Sequence, residues 1–494
     1  MNNNVSRRKF LGAAGVVGLG LALSSNSLFA ETANKRPNII YIMADDHTTQ
    51  AWGCYPSRLS KYVKTPNINR IRNEGALLTN SFCTNSICVP SRATILTGQY
   101  SHTNGATTLG GKLKPEQDNV AKHLQKAGYE TAIVGKWHLK ETPGGFDYFN
   151  ILKGQGSYTK PTLYESDEDG NKKKGKSYTK HSTDLITDTA LEWLKNKHDK
   201  SKPYCMMVHF KGVHEPFRSA KRFDEMYKDT VFPEPEDLLW EQSPKGRVFG
   251  GWPLEKLGER FEKKPDKFGP PALKADKSKS DEYRKAVYQK FIKNYLRTVA
   301  GMDENIGRIL KHLDETDQAE NTVIIYTTDQ GYFLGEHNLF DKRFFLEESL
   351  RMPFVIRYPK EIKPKTTVDD IIINVDFAEL FLDYAGVKIP DSMQGRSFRQ
   401  NLQGNSPKDW RKSMYYRYWS TGKMRPAHYG IRTHTHKLIH YYGLRNTEKT
   451  WEFYDLINDP HEYTNAYDKP ENKKIIEKLK TELKQIKLEA KDLK

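Results

Sequence analysis

The chain has 494 residues, 37% hydrophobic and 29% charged, with a formal net charge of +17. That length allows a large core, and the composition excludes both a disordered chain and a bundle of membrane spans. Four cysteines (Cys54, Cys83, Cys88, Cys205) in so long a chain exclude a disulfide scaffold and match no zinc-ligand spacing, while one disulfide among them stays open.

In chain order, residues 1–30 come first. They hold Ser-Arg-Arg-Lys-Phe-Leu, then a Gly-, Ala-, Leu- and Val-rich stretch, then small residues before a cleavage point after Ala30. The apolar part is short for a membrane span, so the segment reads as an export signal that is removed. The Arg7-Arg8 pair resembles the twin-arginine motif, whose pathway exports proteins already folded. The expected location is the periplasm, with no membrane insertion after signal removal. Loss of Arg7, Arg8 and Lys9 leaves the mature chain basic, which suits a polyanionic partner. For an exported protein a sulfated or carboxylated polysaccharide comes ahead of nucleic acid, for which no recognition motif is present.

Five segments read as short, fully buried strands: 37–43 (PNIIYIM), 130–136 (ETAIVGK), 204–210 (YCMMVHF), 321–328 (NTVIIYTT) and 353–358 (PFVIRY). Amphipathic helical patterns occupy 119–129, 183–197 and 295–315. The alternation predicts an α/β fold, a large, mostly parallel sheet covered by helices on both faces. Residues 158–182 and 228–285 break the rhythm and read as polar surface insertions. From about 405 the aromatic and β-branched segments predict a small antiparallel sheet, followed by a solvated terminal helix. The expected organisation is an α/β domain over 31–404 and an α+β subdomain over 405–494.

The chemistry collects where the predicted strands end. The first is followed by Asp45-Asp46, the 321–328 strand by Asp329-Gln330-Gly331, the 130–136 strand by Trp137-His138 after its closing Lys136, and the 204–210 strand by Lys211-Gly212-Val213-His214. Parallel strands present their C-terminal ends at one edge, where open α/β sheets bind ligands. The Asp45-Asp46 pair alone reads as a turn or helix cap. Together, three carboxylates and the Gln330 amide oxygen suit a hard divalent cation, Ca²⁺ or Mg²⁺. Arg92, Lys136, Lys342, His138 and His214 beside such a cation suit attack on an anionic, oxygen-rich tetrahedral centre, a sulfate or phosphate ester.

The segment 87–98, ICVPSRATILTG, resembles the hallmark of the formylglycine-dependent (type I) sulfatases of the alkaline phosphatase superfamily, Cys-x-Pro-Ser-Arg before a Thr/Leu-x-Gly stretch. Other landmarks of that family follow in order: Asp45-Asp46, Gly135-Lys136-Trp137-His138, His214 to Phe217, Asp329-Gln330-Gly331 and Lys342. The resemblance covers residues 37 to 460 and implies the family's fold. It implies that a maturing enzyme oxidises Cys88 to formylglycine, whose hydrate attacks sulfur and later expels sulfate. By position, Asp45, Asp46, Asp329 and Gln330 would hold one Ca²⁺ together with residue 88. Arg92 and Lys136 would stabilise the hydrate, His138 would trigger release, and His214 and Lys342 would bind sulfate and protonate the leaving oxygen. Two departures stand out: Gln330 replaces the family's Asn or His, and Glu215 lies between His214 and Pro216.

The stretch 329–359 resembles the carbohydrate sulfatase subgroup, so a sulfated algal polysaccharide or glycosaminoglycan is the expected substrate. His337, Arg343, Arg425 and His428 are the candidate sugar contacts. Two other readings share these residues: a phosphonate or phosphodiester hydrolase of the same superfamily, and an inactive polysaccharide-binding protein, which would show an eroded catalytic position.

Overall fold

The computed structural model describes residues 36–241, 243–422, 424–442 and 450–493. The expected export signal lies outside the described residues. Ten strands make one sheet: β1 (Asn38–Asp45), β2 (Ala76–Leu78), β3 (Glu130–Gly135), β4 (Tyr148–Leu152), β5 (Thr162–Glu165), β6 (Lys176–Ser177), β7 (Tyr204–Val213), β8 (Thr322–Thr328), β9 (Phe354–Arg357) and β10 (Thr366–Val368). Their spatial order is β10-β2-β9-β8-β1-β7-β3-β4-β5-β6. The central five, β8 to β4, run parallel, and β9 enters antiparallel beside β8.

Why these segments are strands is visible in β1. Its apolar residues alternate between two separate cores: Ile40, Ile42 and Ala44 face one, and Ile39, Tyr41 and Met43 face the other. A strand covered on both sides needs apolar residues at every position, so its sequence is a continuous run. Helices supply the two covers. Introduced in chain order, they are α1 (Cys88–Thr97), α2 (Val120–Lys126), α3 (Ser182–Glu192), α4 (Leu254–Lys263), α5 (Ser280–Glu315), α6 (Phe377–Tyr384) and α7 (Lys473–Glu489). Leu185 and Ile186 of α3 and Phe291, Tyr295 and Ile306 of α5 join the Ile40 core. Ile95 of α1, Leu124 of α2 and Phe381 of α6 join the Ile39 core.

Several expectations are corrected. The helix expected over 295–315 starts at Ser280, because Tyr283, Val287 and Phe291 continue its buried stripe among charged residues. The 228–285 segment is not purely a surface insertion: Leu254, Leu257 and Phe261 of α4 are fully buried in the core that α5 also builds. Within 158–182, β5 and β6 extend the sheet edge in antiparallel fashion. All four cysteines are free thiols.

The C-terminal antiparallel sheet is present, formed by β11 (Ser413–Tyr418), β12 (Ala427–Thr433), β13 (His436–Tyr442) and β14 (Trp451–Asp455) in sequence order. The terminal helix is not simply solvated: Ile476, Leu479 and Leu483 of α7 pack against Tyr415, Ile431, Leu438 and Phe453 of this sheet. A buried ion cluster ties the sheet to the larger body. The Lys437 amine is fully buried, 3.0 Å from Glu347 and paired with Glu462, while Arg432 reaches Glu347 at 3.2 Å. Removing the cation from such a cluster strands buried carboxylates. Lys437→Met is therefore expected to lower unfolding free energy by about 3 kcal/mol or more, read from urea denaturation; a loss within experimental error would remove this cluster from the stabilising contacts.

Candidate active site

The functional side chains meet at the C-terminal edge of the parallel strands. Asp45 closes β1, Lys136 follows β3, His214 follows β7 and Asp329 follows β8. Cys88 opens α1, and the whole of α1 is buried. Pro90 sits in its first turn, where a missing N–H costs nothing, and Gly98 ends it in the left-handed conformation at φ +62°.

Carboxylate oxygens of Asp45, Asp46 and Asp329 lie within 4.8 Å of one another, and all three residues are fully buried. Successive strand residues point to opposite faces, so two adjacent aspartates reach one point only if the chain turns; Asp46 does so with φ +70°. Its carbonyl accepts from the Tyr295 hydroxyl, and its N–H donates to Asp329 Oδ1 at 3.2 Å. Ser91 donates to the Asp329 carbonyl and accepts from Asn374 Nδ2 at 2.9 Å, which anchors α1 to the end of β8.

Cations face each carboxylate. Lys136 Nζ donates to Asp45, to Gln155 Oε1 at 2.8 Å, and approaches Cys88 Sγ at 3.9 Å. Arg92 Nε donates to Asp329 Oδ2 at 2.9 Å, and its Nη2 lies 3.8 Å from Asp45. Lys342 Nζ bridges both Asp46 oxygens at 2.7 and 2.6 Å. His214 Nε2 lies 3.9 Å from Asp46, and its Nδ1 contacts the Glu215 carbonyl at 2.8 Å.

The electrostatics are uneven. Burial would raise the Asp45 carboxyl, but Lys136, His214 and Arg92 hold it well below the usual range. Burial and the neighbouring carboxylates push Asp46 up to about 7 and Asp329 up to about 6, against the lowering effect of Lys342 and Arg92. Burial, with Lys136 and Arg92 nearby, pushes His138 down to about 2, and burial with Lys342 puts His214 well below its usual value. Both imidazoles are therefore neutral here. Burial and Asp45 push the Cys88 thiol up to about 12, so it is protonated and a poor nucleophile at neutral pH.

A divalent cation fits this donor set. Gln330 Nε2 donates to Asp46 and lies 3.6 Å from Cys88 Sγ, while its Oε1 is buried with no partner. An orphaned amide oxygen beside three carboxylates is the donor chemistry of an oxygen-bound hard cation.

Of the expected sugar contacts, two belong to a wall beside Lys342. Arg343 Nε donates to Asp341 Oδ2 at 2.7 Å, Arg425 Nη1 lies 3.4 Å from the same oxygen, and the Arg425 guanidinium lies 4.3 Å from the Trp252 ring centre. The other two lie in the interior. His337 is buried and bonded to Ser243 Oγ at 2.9 Å and to Asp237 at 3.1 Å. His428 is buried between Phe344 and Tyr416, its Nδ1 2.9 Å from the Pro426 carbonyl. Packing and hydrogen bonds fix both imidazoles in the interior. Sequence reasoning missed Gln155, Tyr158 and Lys211. Lys211 carried a signal, a cation inside a fully buried strand whose other residues, His209 apart, are apolar or glycine.

Site and fold together define a hydrolase for anionic esters. Family comparison narrows this. The sulfatase family model matches residues 37–387, and the model for the C-terminal part of N-sulphoglucosamine sulphohydrolase matches 335–489. An N-acetylglucosamine-6-O-sulfatase of Bacteroides thetaiotaomicron is 41% identical over 96% of this chain and 90% of its own length. An ulvan-active sulfatase of Formosa agariphila is 28% identical over 88% of this chain and 78% of its own. A solved structure described as a complex with its substrate D-glucosamine-2-N,6-O-disulfate superposes with a TM-score of 0.81 at 39% identity, covering 93% of this chain and 99% of that one. The chain belongs to the sulfatase family and is a sulfuric ester hydrolase. No described helix is long and apolar enough to cross a membrane.

Protons and a divalent cation compete for the same carboxylates, and for Asp46 and Asp329 the folded values lie above the unfolded ones. Without a cation, these two groups therefore destabilise the fold progressively as pH rises through their folded values. The gain in melting temperature on adding Ca²⁺ to chelator-treated protein should be larger at pH 8 than at pH 5. An equal gain at both would place the cation elsewhere.

Proposed function

We propose that the protein hydrolyses sulfate esters on a sulfated glycan, with a 6-O-sulfated N-acetylglucosamine residue as its primary substrate. The observation that carries the chemistry is the state of residue 88: a buried thiol pushed to about 12, ringed by Lys136, Arg92 and three carboxylates. That setting suits an anionic, oxygen-based nucleophile and not a thiolate. The sugar assignment rests on the 41% identical relative and its printed activity.

Under this reading, a formylglycine-generating enzyme converts the Cys88 thiol carbon to an aldehyde, whose hydrate supplies one oxygen for attack and one hydroxyl for release. Asp45, Asp46, Asp329, Gln330 Oε1 and residue 88 would hold one Ca²⁺, which supplies positive charge against the sulfate oxygens. Lys136 and Arg92 orient residue 88 and stabilise its negative oxygen. His138, held neutral, accepts the proton whose removal permits sulfate release. Lys342 and His214 face the sulfate and the leaving oxygen. Burial and the nearby Lys342 keep His214 neutral; an incoming anion offsets the second of these, so its proton affinity rises as substrate binds. Arg343 and Arg425, beside Asp341 and Trp252, are the sugar-facing residues on the Lys342 side. The division at residue 405, twin-arginine export and a periplasmic location belong to the same reading.

The test is sulfate release from a panel of sulfated glycosaminoglycan and algal saccharides, with protein co-produced with a formylglycine-generating enzyme. N-acetylglucosamine 6-O-sulfate should be the best monosaccharide, with peptide mass showing an aldehyde at position 88. Cys88→Ala should abolish turnover with little change in melting temperature; sulfate release by that variant would refute the role of residue 88. Arg425→Ala should raise KM about tenfold while kcat changes by less than about threefold, the signature of lost uniform binding. A fall confined to kcat would move Arg425 into the chemical step.

A further inference from the structure

A cavity of about 350 Å³ adjoins the reaction centre, and Gln155, Tyr158, Lys211, His214, Arg218 and Lys267 contribute to its lining. Gln155 and His214 belong to both spaces, since Gln155 Oε1 accepts from Lys136 and His214 approaches Asp46. Lys211 is only 3% exposed, in β7. Its amine lies 5.0 Å from the Tyr158 ring centre and makes no hydrogen bond or ion pair among the described residues. Tyr158 is itself fixed, its hydroxyl donating to the His214 carbonyl at 2.7 Å. The other inner charges are committed: Arg218 to Asp224 at 2.7 Å, and Glu215 to Arg260. Asp266 and Lys267, one of each sign, also line the cavity and are exposed.

A buried, unpaired ammonium at a cavity wall is costly unless a negative group meets it. Burial and the neighbouring Lys136 already push the Lys211 amine down to about 7, and an anion would restore its charge.

We propose that this cavity is a second anion subsite, in which Lys211 receives a sulfate or carboxylate carried elsewhere on the same glycan as the scissile sulfate. The proposal rests on the sulfated-glycan reading and deepens it: the preferred substrate carries two negative groups, one cleaved and one recognised. The subsite adjoins the reaction centre, because the two share Gln155 and His214. Its two sources of anion are an N- or O-sulfate on the cleaved residue and the carboxylate of an adjoining uronic acid.

Calorimetric titration of the non-hydrolysing Cys88→Ser protein separates these. The probes are N-acetylglucosamine 6-O-sulfate, D-glucosamine-2-N,6-O-disulfate, and a disaccharide pairing the first sugar with a uronic acid. In the Cys88→Ser background at least one doubly anionic probe should bind more tightly than the singly anionic one. Adding Lys211→Met should weaken that probe about tenfold or more, while the singly anionic sugar changes by less than about threefold. Lys211→Arg should retain most of the preference and shows that a changed fold is not the cause. The probe that loses affinity identifies the source of the anion. Equal loss on all probes would make Lys211 a ligand of the scissile sulfate, and no loss on any would leave the cavity without an anion; both overturn the subsite alone. Failure of every probe to bind the Cys88→Ser protein would overturn the glycan reading and the subsite with it.

Discussion

Everything in the site depends on holding three carboxylates in one buried volume. Asp45, Asp46 and Asp329 bring three negative charges into a region closed to water, and three fixed cations, Lys136, Lys342 and Arg92, face them. The protein groups alone are therefore close to balanced. Under the proposed reading, a divalent cation would tip this balance to a positive excess, which an anionic substrate would meet. Attraction for a sulfate ester would then come from surplus charge in a low-dielectric pocket, where it acts strongly. Burial, with Lys136, Arg92 and Lys342 nearby, keeps the imidazoles of His138 and His214 neutral beside these charges.

The fold serves this electrostatic demand through one geometric fact. Five parallel strands deliver their ends to a common edge, so residues far apart in sequence arrive side by side without long excursions of the chain. Burial of both sheet faces makes that edge rigid. Side chains then anchor the edge: Ser91 joins α1 to the end of β8, and Tyr295 reaches from α5 to the carbonyl of Asp46. The C-terminal sheet adds Arg425 to the rim near Trp252, while the buried Lys437 cluster keeps it in register with the segment that carries Lys342.

Much of this was legible in the sequence, and the reasons are physical. Doubly buried strands are continuous apolar runs, so β1, β3, β7, β8 and β9 announced themselves. Chemistry placed at strand ends was legible for the same reason, since Asp45-Asp46, Lys136, His214 and Asp329 follow those runs directly. Side chains whose role depends on tertiary packing were not. His337 and His428 look like surface imidazoles, yet Asp237 and Ser243 capture the first and aromatic rings enclose the second. The apolar stripes of α4 and the first turns of α5 were masked by the lysines and glutamates on their wet faces. Lys211 was quoted within its strand-end segment, but its burial beside Tyr158 is set by the distant loop that carries Tyr158.

The left-handed backbone at Asp46 has a consequence for how the family can vary. Few residue types adopt a positive φ readily, and aspartate and asparagine are foremost among those with side chains. The same position requires a short, charged oxygen donor to reach its two neighbours. Conformational and chemical selection therefore converge on one residue: glutamate overreaches, glycine bends but brings no charge, and asparagine bends but weakens the charge. A site whose backbone and ligand demands coincide in this way has almost no neutral neighbours in sequence space. Drift in this protein is accordingly channelled to the rim, where new glycans can be met without disturbing the centre.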